Sequence, residues 1–349
     1  MIEDSFNSKE EFEKKIKKYR KSIRLRSNYK KLNINLEHNT DFELPPLEII
    51  EELIDYFIEN ERNDEALIFC ELWREYDANS LEAMTTQCSI LNLLSRFNEV
   101  LILSDKILEE YPTCVEALIS KAIATERLGQ PDVAVEIASY ALEFEPDNDD
   151  IIYIYAFMNK MAGNFEEAIN YYNLFLEKNV SDTESDIIYN VQIDIISCYT
   201  ELGEYDKAIQ ELEALTNIEP YHLTLWYSIG VIYNYQEKLS DAIEALEITL
   251  AIDDTFTPAL TELANVYYKI KNYQKSIEYY ELAQKISPQS IEIMKGLSEA
   301  YMSSENYSQA ITILENMLLQ NNNINYALEK ISICKEQLKK TKKRKNKKI

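Results

Sequence analysis

Between Tyr189 and Ile324 four segments of 34 residues follow one another without a gap, and matching residues recur at matching places. Numbered from Tyr189, Leu223, Thr257 and Ile291, the eleventh place holds Tyr199, Tyr233, Tyr267 and Tyr301. The twentieth holds Ala208, Ala242, Ser276 and Ala310, and the twenty-fourth holds Leu212, Leu246, Tyr280 and Leu314. A period of this length with small residues at fixed places predicts a repeated pair of short helices that stack side by side. The small side chains let the two helices of a pair approach, and a large one there would force them apart. A lone pair cannot bury enough apolar surface to offset the cost of ordering its own backbone, so the pairs must lean on one another.

Setting aside six residues, Thr183 to Ile188, carries the same frame back to units that start at Leu47, Leu81, Val115 and Asp149. Their twentieth places are Ala66, Val100, Ala134 and Ala168. Pro112 and Pro146 stand at the thirty-second place, where a second helix has to end. Gly129, Gly163 and Gly203 stand at the fifteenth, in the turn between helices, where a positive φ costs glycine nothing. The unit from Leu81 matches less closely, with Cys88 and Val100 at its small places. The expected organisation is an N-terminal extension and linker over 1–46, units one to four over 47–182, an insertion over 183–188, units five to eight over 189–324, a capping helix over 325–340 and a basic disordered tail over 341–349. The insertion reads either as a surface loop or as a change of superhelical direction, with the fifth unit's first helix starting early.

The motif Trp226-x-x-Ile229-Gly230-x-x-Tyr233, followed by Ala242 and Leu246 and closed in the next unit by Pro288, resembles the tetratricopeptide repeat family. The run from Leu225 to Leu260 is similar, more narrowly, to uncharacterised cytosolic bacterial members. The resemblance implies an all-α, right-handed α-solenoid of about eight helix-turn-helix units with a C-terminal capping helix. It also implies a non-enzymatic scaffold or adaptor that holds a peptide or helix of a partner in a concave groove. In the family that groove is faced by places 2, 5, 6, 9, 12 and 13 of each first helix. Carried onto this chain, those places give an acidic mouth at Glu48, Glu52 and Asp55, then Tyr153 and Phe157, then Tyr227 and Asn234, then Asn265, Tyr268 and Lys269, and finally Lys295. Some members clamp the carboxylate of chaperone tails with Lys at place 5 and Asn at place 9 of one unit. Here those places read Glu51 and Asp55, Thr85 and Ser89, Tyr153 and Phe157, Thr261 and Asn265, or Lys295 and Glu299, so that mode of docking is not expected.

Charge adds a second constraint. Residues 1–31 hold 11 basic and 5 acidic side chains and residues 335–349 hold 9 and 1, which leaves about 39 net negative charges on the body between them. Such a body repels nucleic acid and anionic membrane and attracts basic partners. Only the basic termini point toward RNA, a ribosome or a membrane surface. Self-association through the end repeats, as in a structural solenoid, is the other reading left open. The first of these termini, residues 8–26, carries an apolar stripe of Phe12, Ile16, Tyr19 and Ile23 on a Lys- and Arg-rich helix, with Ser8 and Glu11 spaced as a capping box. It either folds back on the acidic body or lies on an anionic surface.

Catalytic chemistry is not indicated. The two histidines, His38 and His222, lie far apart in the frame, and no phosphate-cradling, nucleophile-elbow or zinc-protease motif occurs. Five cysteines without a C-x-x-C pair read as reduced, packing thiols of a cytoplasmic protein, and no cofactor or metal is expected. No apolar run reaches the roughly 20 residues of a membrane span or heads the chain as a signal peptide. The register itself is testable: Ala242→Phe is expected to abolish the cooperative melting of the central units, and an unchanged melting curve would refute the frame.

Overall fold

The computed structural model describes residues 9–31, 44–179, 186–320 and 323–346. Among these there are 18 helices and no strand. The chain divides into two compact units, Met1–Val191 and Gln192–Ile349.

In the first unit an opening helix, α1 (Lys9–Lys31), precedes four helix pairs. These are α2 (Leu47–Glu59) with α3 (Asn63–Tyr76), α4 (Leu81–Leu93) with α5 (Phe97–Glu110), α6 (Val115–Arg127) with α7 (Pro131–Phe144), and α8 (Asp149–Met161) with α9 (Phe165–Lys178). Helix α10 (Asp186–Glu201) runs through the boundary. In the second unit follow α11 (Tyr205–Ile218), then α12 (Leu223–Tyr235) with α13 (Leu239–Ile252), α14 (Thr257–Lys269) with α15 (Tyr273–Ile286), and α16 (Ile291–Ser303) with α17 (Tyr307–Leu319). The last helix is α18 (Ile324–Asn346). Seven of the first helices open at place 1 of the frame. The exception, α10, opens three residues before Tyr189, at Asp186, while Thr183, Glu184 and Ser185 fall outside the described residues. Helices α5, α7 and α15 each stop two residues short of Pro112, Pro146 and Pro288. The proline ring bars the residue before it from helical geometry, so the helix has to end there.

The small places form the seam. All eight residues at place 20, from Ala66 and Val100 to Ser276 and Ala310, are 0 % exposed. At place 8, Gly230 shows how tight the contact is: an added Cβ would sit 2.7 Å from Cγ of Leu246, on the facing helix of the pair.

The turns repeat as closely as the helices. At place 15 every unit holds a residue with positive φ, whether glycine (Gly129 at 81°, Gly163 at 82°, Gly203 at 72°) or not (Glu61 and Ser95 at 57°, Glu237 at 58°, Lys271 at 62°, Glu305 at 63°). The next N–H donates back to the carbonyl at place 11 each time, as in Arg62 to Phe57 at 2.7 Å and Lys238 to Tyr233 at 2.9 Å. This is the Schellman closure of a helix, and it satisfies carbonyls that the helix end would otherwise leave bare.

Helix α1 belongs to the fold. Its Ile16, Tyr19 and Ser22 are buried and Ile23 packs on the same core, against α3. Arg20 donates to Glu65 at 3.0 Å, and Arg62 reaches Glu13 at 2.7 Å while lying 4.7 Å from the centre of the Phe57 ring. The stripe is therefore spent on covering the first helix pair. Ser8, His38 and most of the linker lie outside the described residues. At the other end α18 buries Ala327, Ile331 and Cys334 and then continues to Asn346. This corrects the expected helix end at Lys340: Lys and Arg have good helix propensity, cations suit a helix C-terminus, and no Gly or Pro intervenes.

The five non-glycine residues at place 15 hold a backbone conformation that costs an L-residue about 1–2 kcal/mol, of which glycine's extra unfolded-state freedom takes back about 0.5–1 kcal/mol. Glu237→Gly and Lys271→Gly are each expected to stabilise by about 0.5–1 kcal/mol, and Gly163→Ala to destabilise by a similar amount. Midpoints of urea unfolding check both signs.

Candidate functional site

Each unit presents its own inner face, made by its first helices. In the first unit, α4, α6 and α8 wall a recess of about 1000 Å³. Most of its lining falls on the groove places: Ser89 and Ile123 at place 9, Asn92 at 12, Leu93 and Arg127 at 13, Glu116 and Asp150 at 2, Ile119 and Tyr153 at 5, Ser120 and Ile154 at 6; Ser95 in a turn, Phe97 on α5 and Ile187 on α10 complete it. The floor is apolar. Glu116 and Asp150 stand where first helices begin and Arg127 where one ends, so the two rims carry opposite charge. Asn92 Nδ2 donates to the Ser120 carbonyl at 3.0 Å, and its buried Oδ1 accepts no hydrogen bond among the described residues. An acceptor left in that state suits a donor arriving with a guest.

Tyr153 is the one expected site residue that lines this recess, and its ring packs 5.7 Å from Phe175 and 6.2 Å from Tyr172. Phe157 instead packs on the cluster of Ala122, Ala134, Ala138 and Met158. Glu48, Glu52 and Asp55 are exposed on α2. Beside them the Glu51 carboxyl is raised, first by desolvation and then by Glu82, Asp55 and Glu48.

In the second unit the expected residues meet one another. Glu262, at place 6 of α14, accepts from Asn234 through one oxygen and from Asn265 through the other, at 3.0 Å. Lys269 donates to Asn234 Oδ1 at 2.6 Å, and the Tyr280 hydroxyl donates to Asn265. The Tyr268 hydroxyl bonds Ser303 Oγ at 2.9 Å, and Tyr227 meets Phe256 edge-on at 5.4 Å. Lys295 lies 5.4 Å from the centre of the Tyr326 ring, whose hydroxyl donates to Glu299 at 2.9 Å. The hub of the first network, Glu262, escaped the sequence reading, although it occupies the same place that singled out Glu52.

Two features bear on chemistry. All five cysteines are free and buried, and burial pushes the Cys70 and Cys88 thiols up to about 12, which keeps them protonated and poorly nucleophilic. Among the described residues no group of three His, Cys, Asp or Glu is placed to hold a metal, and no helix is long and apolar enough to cross a membrane.

Paired helices in a 34-residue frame, with an inner wall presented by the first of each pair, define a helical repeat scaffold. Tetratricopeptide-repeat models match residues 197–222, 227–291 and 271–331. Those stretches of the chain carry tetratricopeptide repeats, a family whose members generally mediate protein–protein interaction. A solved tetratricopeptide repeat protein from Parabacteroides merdae superposes with a TM-score of 0.50 at 14 % identity, covering 73 % of this chain and 98 % of that one. Human DnaJ homolog subfamily C member 7 is 24 % identical over 196 residues, 53 % of this chain and 40 % of the relative. The Arabidopsis thaliana Protein CTR9 homolog is 23 % identical over 270 residues, 65 % and 24 %. The Dictyostelium discoideum signal recognition particle subunit SRP72 is 28 % identical over 152 residues, 43 % and 21 %. The chain thus spans well under half the length of these relatives.

The polar wall rests on one close packing. The Tyr280 ring lies where a side chain on Gly296 would be, 2.2 Å from its would-be Cβ. Gly296→Ala is expected to cost about 1–3 kcal/mol by pushing that ring off its seat. Adding Tyr280→Leu should recover part of the loss; a double-mutant cycle in thermal unfolding measures the coupling.

Proposed function

We propose that this chain is a non-enzymatic adaptor that holds a peptide or helix of another protein against the inner wall of its second, third and fourth repeats. The observation that supports this is the apolar recess lined by Ile119, Ile123, Tyr153 and Ile154, which lies on the places where the family presents its groove. A floor of branched aliphatics with one tyrosine gains from burying an apolar face, and rims of opposite charge orient the guest. Glu116 and Asp150, continuous in frame with Glu48, Glu52 and Asp55, suit a guest whose corresponding edge is basic.

Affinity capture with the full chain tests the reading. Ile123→Asp combined with Tyr153→Ala is expected to reduce recovery of the captured protein at least tenfold, with helical circular dichroism unchanged. Recovery retained by that variant and lost with Tyr227→Ala plus Tyr268→Ala would move the contact to the second unit and overturn the proposal.

A further inference from the structure

A different surface, made by the second helices, carries an independent site. Between α11 and α13, over α12, lies a recess of about 390 Å³ that includes Trp226, Ile229 and Tyr233 together with Glu213, Asp241 and Glu244. The Trp226 indole is fixed by its Nε1–H, which donates to the Pro220 carbonyl at 2.9 Å. None of the three carboxylates pairs with a cation among the described residues. The Lys238 ammonium lies 5.8 Å from the centre of the Tyr233 ring and is held by Asp206 at 3.2 Å. Burial, and after it Glu213 and Asp241, pushes the Tyr233 phenol up, so the negative potential reaches the aromatic floor.

The first unit contains the same recess three repeats earlier, also about 390 Å³, between α5 and α7 over α6. There place 7 is Lys121, whose Nζ lies 2.7 Å from Asp105 at place 25. In the second unit place 25 is again a carboxylate, Glu213, and place 22 is again glutamate, Glu244 for Glu136, but place 7 is Ile229. The floor at place 4 changes in step, from Leu118 to Trp226. One recess supplies its own ammonium; the other keeps the acids, replaces the lysine with an alkyl group and adds an aromatic face.

We propose that the Trp226 recess binds a cationic side chain, the arginine or lysine head of a basic segment on a partner protein, in the role that Lys121 plays internally in the first unit. The carboxylates meet the charge, and the indole and phenol faces attract it through their quadrupoles while covering its alkyl stem.

The chain has two tryptophans, so in a Trp73→Phe background Trp226 is the sole indole. Titrating that full-length protein with an acetylated, amidated hexa-arginine peptide is expected to change Trp226 emission saturably. Glu213→Gln, Asp241→Asn and Glu244→Gln together should weaken binding at least tenfold at constant ionic strength. Ile229→Lys, which restores the internal ammonium, should do the same. Asp132→Asn, Glu166→Gln and Glu167→Gln, which remove as much charge from exposed positions of the first unit, should leave the affinity within twofold. The neutralised recess variant alters only exposed side chains, so it decides the matter even if Ile229→Lys fails to fold. Absence of a saturable change, or equal weakening by the two neutralised variants, would overturn the site.

Discussion

The contact on which everything else rests is the one between the two helices of each pair, where no residue at place 20 is reached by solvent. The distance of closest approach is set there by side-chain size, and the neighbouring places adjust to it. Where place 24 carries the large Tyr172 or Tyr280, place 8 is reduced to Ala156 or Ala264; where place 8 is Ile54, place 24 is Cys70. At Gly230 the side chain is absent altogether, and Leu246 fills the space. The exchange is not general: Ala122 faces Ala138 with both places small, and Ile196 and Leu212 are both large, so those pairs are filled by other neighbours.

With the helices fixed at that spacing, the inner wall is free to vary, and the two units use it differently. In the first, aliphatic side chains stand open around a recess and one buried amide oxygen is left without a donor. In the second, Glu262, Asn234, Asn265 and Lys269 satisfy one another. A guest on the first wall gains by covering apolar surface. Any guest on the second would have to displace existing hydrogen bonds and replace them.

The seam was legible from the sequence because a period of 34 repeats its small residues in phase, and the turns because Gly129, Gly163 and Gly203 mark where φ is positive. Glu61, Ser95, Glu237, Lys271 and Glu305 adopt the same conformation without any residue-level signal; only their place in the frame identifies them. The recess of the first unit was half legible. Tyr153 stood out as an aromatic at a groove place, whereas Ile119, Ile123 and Ile154 look no different in a sequence from core isoleucines. Asn234 and Asn265 were readable as polar residues on the wall, but their engagement with each other through Glu262 depends on side-chain directions across two helices. For α1 the stripe of Ile16, Tyr19 and Ile23 was evident; that it docks on α3 is a fact about which neighbour needed covering.

The five thiols have a consequence of another kind. They are distributed from α3 to α18, each sealed in the interior. An array coupled chiefly to nearest neighbours opens locally, from segments that have the fewest contacts. Alkylation at each cysteine therefore times the breathing of its own stretch of chain, and the molecule carries five built-in clocks of regional opening.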